Sequence, residues 1–163
     1  MEIINNADDK FKGMQAELCG FLFDMLREIN ALEMKIGKRD ALIKKRIPEL
    51  NSTQISAEFD AMWSDFHDEY KRIVSDKCTE KLIAKGCNRG FQSPVKYGWV
   101  DTEDCTVIFQ MKALKRAVIE VRYKRFSQNC ASRFALIKQD GKWLVDAHNW
   151  TSDYDNIWHR GEI

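Results

Sequence analysis

Apolar residues in the N-terminal part of the chain recur at spacings of three and four, which places them along one face of an α-helix. The first stripe predicts a helix over residues 8–36. Asp8 and Asp9 suit its positive N-terminal end, and Gly37 favours a left-handed stop at its C-terminal end. The stripe consists of Phe11, Met14, Leu18, Phe21, Leu22, Met25, Ile29, Leu32 and Ile36.

Two more helical segments are expected before the pattern changes. A short helix after Asp40 should end near Ile47, because a proline at position 48 disfavours helical backbone in the residue before it. Asn51 and Ser52 are suitable caps for the next helix. We expect that helix to break near Ser75–Asp76, and Gly86 to close the helical half. Its apolar stripe consists of Ile55, Phe59, Met62, Trp63, Phe66, Tyr70, Ile73 and Val74, and both stripes are interpreted as core.

From Ser93 onward the apolar period is two, which is typical of β-strands. The loops are short, and Asp140–Gly141 supplies the left-handed residues of a tight hairpin, so the strands are expected to pair antiparallel. The prediction is one α+β domain over residues 1–163: a helical half (1–86), a sheet (90–150) and an aromatic tail (150–163). The inward positions are Val107, Phe109, Ile119, Val121, Phe134, Leu136 and Val145.

Composition narrows the class of protein. The 163 residues include 44% hydrophobic and 31% charged side chains, an ordinary balance for a soluble domain. The formal net charge of +1 argues against a general binder of polyanions. No apolar stretch reaches the length of a membrane span, and the N-terminus lacks the pattern of a secretory signal. We therefore expect a cytoplasmic protein without a membrane partner.

The cysteines and histidines do not form a recognisable chemical motif. Five cysteines are an odd number, no pair has the C-x-x-C spacing of a zinc site, and free thiols are the expectation. Three histidines stand at positions 67, 148 and 159, far from any pattern of nucleophilic catalysis. The sequence predicts no metal site, no cofactor and no catalytic residue.

Three segments resemble bacterial immunity proteins of the nuclear-transport-factor-2-like fold. Pro94 and Tyr97 match a Pro-x-x-Tyr motif at the start of the sheet, Ala117–Val121 resembles the central strand, and Arg133–Asp146 resembles the last hairpin with its Gly-Lys-Trp turn. The resemblance covers about residues 90–150 and implies helices packed on a curved antiparallel sheet, shaped like a cone. It also implies a cytosolic protein that neutralises a cognate toxin domain by occlusion, without chemistry or cofactor of its own.

The second long helix carries a candidate partner surface. The segment between Asn51 and Glu80 contains seven acidic and three basic side chains, which gives a local net charge of −4. Toxin domains that are nucleases have basic clefts, and an acidic ridge would steer such a partner onto the helix. The alternative is a solvated helix face, partly neutralised by pairing of Asp68 with Arg72. The candidate residues are Glu58, Asp65, Asp68, Glu69 and Asp76.

The polar face of the sheet is a second candidate. Glu120, Arg122 and Lys124 alternate with the apolar set, and Arg133, Asp146 and His148 are predicted to point outward on later strands. Such a strip is either the wet face of a sheet or a surface for a partner or a second copy, which leaves monomer and homodimer open. Residues 112–125 hold six bases and one acid but only one aromatic residue, Tyr123, instead of a series of interspersed aromatic platforms, which argues against nucleic acid.

The tail contributes four large apolar side chains: Trp150, Tyr154, Ile157 and Trp158. Their spacing would place them on one face of a short helix. Exposed tryptophans make good interface anchors, and Trp158 is the partner-binding candidate here. The alternative is a tryptophan folded back over the open end of the cone.

The alternative function is a small-molecule isomerase or dehydratase of the same fold. Such an enzyme needs an acid or base inside the cone, where burial shifts its pKa toward neutrality. The predicted inward positions are aliphatic or aromatic, and only His67 and Tyr70 on the second helix offer a polar group. A filled interior favours a binding protein, so we expect the protein not to be an enzyme.

Overall fold

The computed structural model describes residues 1–85 and 90–163 as an α+β structure, with helices packed on one face of a six-stranded sheet. The predicted Gly86 stop and Cys87 lie outside these residues. The helices are α1 (Gln15–Arg46), α2 (Ser52–Ser75) and α3 (Glu80–Lys85). The strands are β1 (Glu2–Asn5), β2 (Cys105–Ala113), β3 (Arg116–Arg125), β4 (Gln128–Gln139), β5 (Lys142–Ser152) and β6 (His159–Gly161).

Helix α1 is longer than the sequence pattern predicts. A 3₁₀ turn at Asp9–Met14 leads into it, and it runs through Gly37, so the predicted stop at Gly37 is wrong. The helix continues because the apolar stripe continues to the buried Ile43, and glycine lowers helix stability by only about 1 kcal/mol. It ends at Arg46 before a 3₁₀ turn containing Pro48, as expected. No helix in the described ranges combines the length and apolarity that a membrane span requires.

Helix α2 starts and stops where the sequence indicates. The Asn51 side chain accepts a hydrogen bond from the Gln54 backbone N–H at 2.9 Å, and the Gln54 side chain accepts one from the Asn51 N–H at 3.0 Å. This reciprocal capping box satisfies two backbone donors that a helix start leaves free. The helix ends at Ser75 with Asp76 as its C-cap, which confirms the predicted break.

The sheet is mixed rather than purely antiparallel. Its strands lie in the order β1 to β6, and the pairs from β2 to β6 are antiparallel. Strand β1 pairs parallel with β2, with Ile3 opposite Val107, and the sequence reading missed it. Four residues are too short for an alternating pattern to stand out, and only the pairing with β2 makes this segment a strand.

One hydrophobic core joins the helices to the inner face of the sheet. All seven predicted inward residues of the sheet are fully buried, and the two helical stripes supply the other side of the core. Leu18, Leu22, Met25, Leu26 and Ile29 of α1 have no exposed surface. The four cysteines in the described ranges are free thiols: Cys19, Cys78 and Cys105 are buried, and Cys130 is partly exposed.

A β-bulge in β5 changes which side chains face the core. Ala135 of β4 pairs with Ala147 and the next residue, Leu136, pairs with Val145, so Asp146 is an extra residue in β5. The extra residue shifts the alternation by one, and His148 points inward on the same face as Val145. His148 is only 3% exposed and stacks on Phe134 at 4.5 Å. The prediction that His148 points outward is therefore wrong.

Candidate functional site

The sheet face that points away from the helices carries an ion-pair cluster around Glu120. The Glu120 carboxylate accepts hydrogen bonds from Arg122 Nε at 2.9 Å and from Arg133 Nη2 at 2.6 Å. Trp158 completes the cluster, because the Arg133 guanidinium lies 3.9 Å from the centre of one of its rings. We call these four residues the outer-face cluster. Its two arginines are held in place by the same carboxylate, with their outer edges in solvent.

Glu120 is unusual for a residue on a solvent-facing strand position, since it is only 6% exposed. Burial alone would raise its pKa, but the hydrogen bonds and charges of Arg133 and Arg122 outweigh burial, and the pKa lies below its ordinary value. The expectation of a fully wetted strip is therefore wrong at this position, because the two long arginine side chains cover the carboxylate.

The C-terminal tail is not helical. The Asp155 carboxylate accepts hydrogen bonds from the Ile157 N–H and from His159 Nε2, and this turn leads into β6 instead of a helix. Tyr154 is 86% exposed and Ile157 60% exposed. Trp150 and Trp158 keep 43% and 38% of their surface in solvent. The large side chains of the tail are thus displayed at the surface.

The predicted acidic ridge on α2 is largely neutralised from within the protein. Glu58 pairs with Arg46 at 2.9 Å, Asp65 pairs with Arg39, and Glu69 pairs with Lys35. All three bases come from α1, which the sequence reading did not consider. The expected pair of Asp68 with Arg72 is not among the ion pairs of the described residues.

The predicted partner-binding residues therefore fall into two groups. Arg122 and Trp158 meet in the outer-face cluster, and Lys124 lies two residues farther along β3. Glu58, Asp65 and Glu69 on α2 join the two helices, and Asp68 and Asp76 are exposed on the same helix. The helices pack on the inner face of the sheet, so the two groups do not form one surface.

An open cleft of about 990 Å³ lies at the ends of β3, β4 and β5. Its wall includes Trp99 stacked on Tyr123 with ring centres 5.4 Å apart. The sequence did not predict this cleft, because one side of it is the irregular segment before β2. Its charged lining residues are Lys96, Asp104, Arg122, Lys124, Arg125 and Asp153.

A buried polar cluster lies between α1 and the sheet, next to this cleft. Asn30 exchanges hydrogen bonds with the backbone of Tyr97 at 2.9 and 3.1 Å, and the Lys96 N–H donates to Glu33 at 2.7 Å. His148 Nδ1 lies 3.0 Å from the Glu162 carbonyl oxygen. The sequence signal for this cluster was two polar positions, 30 and 33, inside the apolar stripe of α1.

Burial shifts the ionisation of three members of the buried polar cluster. Desolvation lowers the pKa of Lys96 to about 8, although the charges of Glu33 and Glu162 act in the opposite direction. Desolvation likewise lowers the pKa of His148 to about 4, against its hydrogen bond with Glu162. Burial raises the pKa of Tyr97 well above its ordinary value. At neutral pH the His148 imidazole is therefore neutral, and the Lys96 ammonium loses its proton more readily than that of an ordinary lysine.

A smaller cleft of about 290 Å³ lies between α3, β5 and β6, and His148 is part of its lining. Neither this cleft nor the larger one is lined by His67 or Tyr70. Tyr70 is buried in the core, and His67 is an exposed residue that stacks on Trp63. In residues 1–85 and 90–163 no three His, Cys, Asp or Glu side chains gather where a metal ion could bind.

Comparison with models of protein families, with curated proteins and with solved structures finds no match to this chain. Function therefore has to be inferred from four features: the two clefts, the outer-face cluster, the buried polar cluster and the exposed C-terminal aromatic side chains.

The buried His148 predicts a specific dependence of stability on pH. Its pKa lies near 4 in the folded protein and near 6.5 in the unfolded chain, so below pH 6.5 the unfolded chain takes up a proton that the fold excludes. As the pH falls from 6.5 to 4, this group should lower the free energy of unfolding by about 3 kcal/mol. Replacing His148→Gln should remove that loss, measured by urea denaturation at pH 7 and at pH 4.5.

The matched control is His67→Gln, which removes an exposed histidine and should leave the pH dependence as in the wild type. If the His148→Gln variant does not fold, NMR titration of the His148 ring in the wild type tests the same claim. A His148 that titrates near pH 6.5 would contradict it.

Proposed function

We propose that this protein is an inhibitor that acts by binding another protein, as the bacterial immunity proteins of the nuclear-transport-factor-2-like fold do. The segments that resemble that family form β3 and the β4–β5 hairpin, with the Gly-Lys-Trp turn at its tip. Helices α1 to α3 precede β2 to β6 along the chain, which is the order expected for the cone-shaped fold, whereas β1 precedes the helices. The partner would be a cognate toxin domain in the cytoplasm of the producing bacterium.

The proposal rests mainly on where the large apolar side chains lie. The inner face of the sheet is closed by fully buried aliphatic and aromatic residues, whereas Trp150, Tyr154, Ile157 and Trp158 are displayed on the tail. Tryptophan, tyrosine and arginine are the residue types that dominate the binding energy of protein interfaces. The tail and the outer-face cluster include all three residue types.

The outer-face cluster is prepared for binding before a partner arrives. Glu120 fixes both arginines, and Trp158 lies flat on Arg133. A side chain that is already ordered loses less conformational entropy on association. Inhibition would then be steric: a partner covered over at least about 1,000 Å² by this face could not admit its substrate.

Co-expression tests this function directly. The candidate partner is the product of the gene immediately upstream in the genome that encodes this chain. We expect that product to arrest growth when expressed alone, and this protein to restore growth and to co-purify with it. Rescue without co-purification, or no rescue, would contradict inhibition by binding. Sedimentation of the purified protein alone distinguishes a monomer from a homodimer that uses the same face.

Trp158 should be an anchor of the interface. The Trp158→Ala variant removes an aromatic surface that is 38% exposed, so folding stability should change little, whereas partner affinity should fall about thirtyfold, or 2 kcal/mol. Isothermal titration with the purified partner measures the loss. The control is Leu114→Ala, which removes an equally apolar side chain, 69% exposed, from the β2–β3 turn and should leave the affinity unchanged.

One observation favours the enzyme alternative of an isomerase or dehydratase. Lys96 lines the larger cleft, and its lowered pKa leaves a larger fraction of its amine unprotonated at neutral pH than in an ordinary lysine. An enzyme of this kind should bind small hydroxy acids or carbonyl compounds there. Thermal-shift measurements with such compounds should then show stabilisation of the wild type that is lost in Lys96→Met. An absence of stabilisation by every compound tested would count against the enzyme.

A further inference from the structure

The larger cleft is lined by four basic side chains and two acidic ones, Asp104 and Asp153. Arg122 is paired with Glu120, and Asp153 accepts hydrogen bonds from Asn129 at 2.9 and 3.1 Å. Lys124 and Arg125 differ from these, because neither forms an ion pair with a carboxylate in the described residues. The Arg125 guanidinium donates to the amide oxygen of Gln92 at 3.2 Å and lies 5.6 Å from the centre of the Phe126 ring.

We propose that this cleft receives an acidic segment of the partner protein, held by Lys124 and Arg125. The inference rests on the proposed function, since it presupposes a protein partner, and it adds the chemistry of the segment that the partner inserts. It also departs from the expectation of a partner with a basic cleft, because three of the acids that would have met such a cleft, Glu58, Asp65 and Glu69, are paired with bases of α1.

The dimensions of the cleft suit a short stretch of polypeptide. Its volume of about 990 Å³ lies near the upper end of the range for clefts that enclose whole ligands, about 300–1,000 Å³. Pro94, Val95 and Tyr123 give it an apolar wall. Aspartate and glutamate side chains can place their methylene groups against such a wall and their carboxylates on the cations at the rim.

Nucleic acid fits the same charge less well. Proteins that bind single strands combine a basic groove with aromatic rings on which bases stack. Here Trp99 is only 6% exposed and already stacks on Tyr123, so it offers no free platform to a base. Lys124 and Arg125 are also only two adjacent cations, so they cannot contact successive phosphates along a nucleic-acid strand.

Charge reversal with a matched control tests the inference. The test variant is Lys124→Glu combined with Arg125→Glu. The control is Lys112→Glu combined with Arg116→Glu, the same change of charge at the opposite end of β2 and β3, outside the cleft. The probe is a fluorescein-labelled peptide of alternating glutamate and aspartate, and a labelled single-stranded oligonucleotide of equal length is the comparison. Fluorescence anisotropy at low salt measures both.

We expect the acidic peptide to bind the wild type and the control with the same affinity, and the test variant at least about tenfold more weakly. Equal losses in both variants, or no binding of the peptide, would overturn the inference. Binding of the oligonucleotide as tightly as the peptide would also overturn it, in favour of nucleic acid.

The purified toxin partner separates this inference from the proposed function. A partner that binds the wild type and the cleft variant equally well would refute the acidic segment and leave inhibition by binding intact. A partner that binds neither protein would refute the proposed function, and the peptide measurement would still decide the chemistry of the cleft.

Discussion

The apolar inner face of the sheet has to be covered, and the apolar stripes of α1 and α2 cover it. Without that cover, residues such as Phe134, Ile119 and Val121 would expose a large hydrophobic area. Each Å² of apolar surface left in water costs about 25 cal/mol of folding free energy. The resulting contact fills the space between helix and sheet with side chains such as Leu22 and Leu26, which have no exposed surface. Because the interior is used for stability, the surfaces left for binding are the outer face, the tail and the strand ends.

The same packing explains which parts of the fold the sequence could predict. Long periodic segments, such as the two helical stripes and β2 to β5, can be predicted from the sequence, because burial of one face requires apolar residues at the period of the helix or strand. Strand β1 has four residues and is stabilised by its partner β2, so its own pattern is too short to show it. Helix α1 continues through Gly37 because Ile43 is buried in the folded protein. Local helix propensity alone does not predict that tertiary contact.

The candidate site was less accessible to prediction than the fold. One extra residue, Asp146, turned His148 into the interior, and a bulge has no reliable sequence signature. Alternation correctly placed Arg122 on the outer face, whereas the choice of Trp158 as a partner-binding residue stays a prediction. Glu120 and Arg133 bring Arg122 and Trp158 into one cluster that joins β3, β4 and the tail. That contact depends on the register of the strands and on the turn at Asp155. The cleft is formed by an irregular segment, where no period exists to read.

The placement of charge provides the last constraint on function. A net charge near zero conceals an uneven distribution: carboxylates of α2 are satisfied by bases of α1, whereas Lys124 and Arg125 remain without a carboxylate in the described residues. Exposed ion pairs contribute little to stability, about 0–1 kcal/mol each, so pairing between α1 and α2 serves mainly to remove an attractive field from the helical side. Unpaired cations beside an apolar wall have the opposite effect, because they attract an anionic partner. The helical side therefore covers the core, and the sheet side is the surface that we propose for recognition.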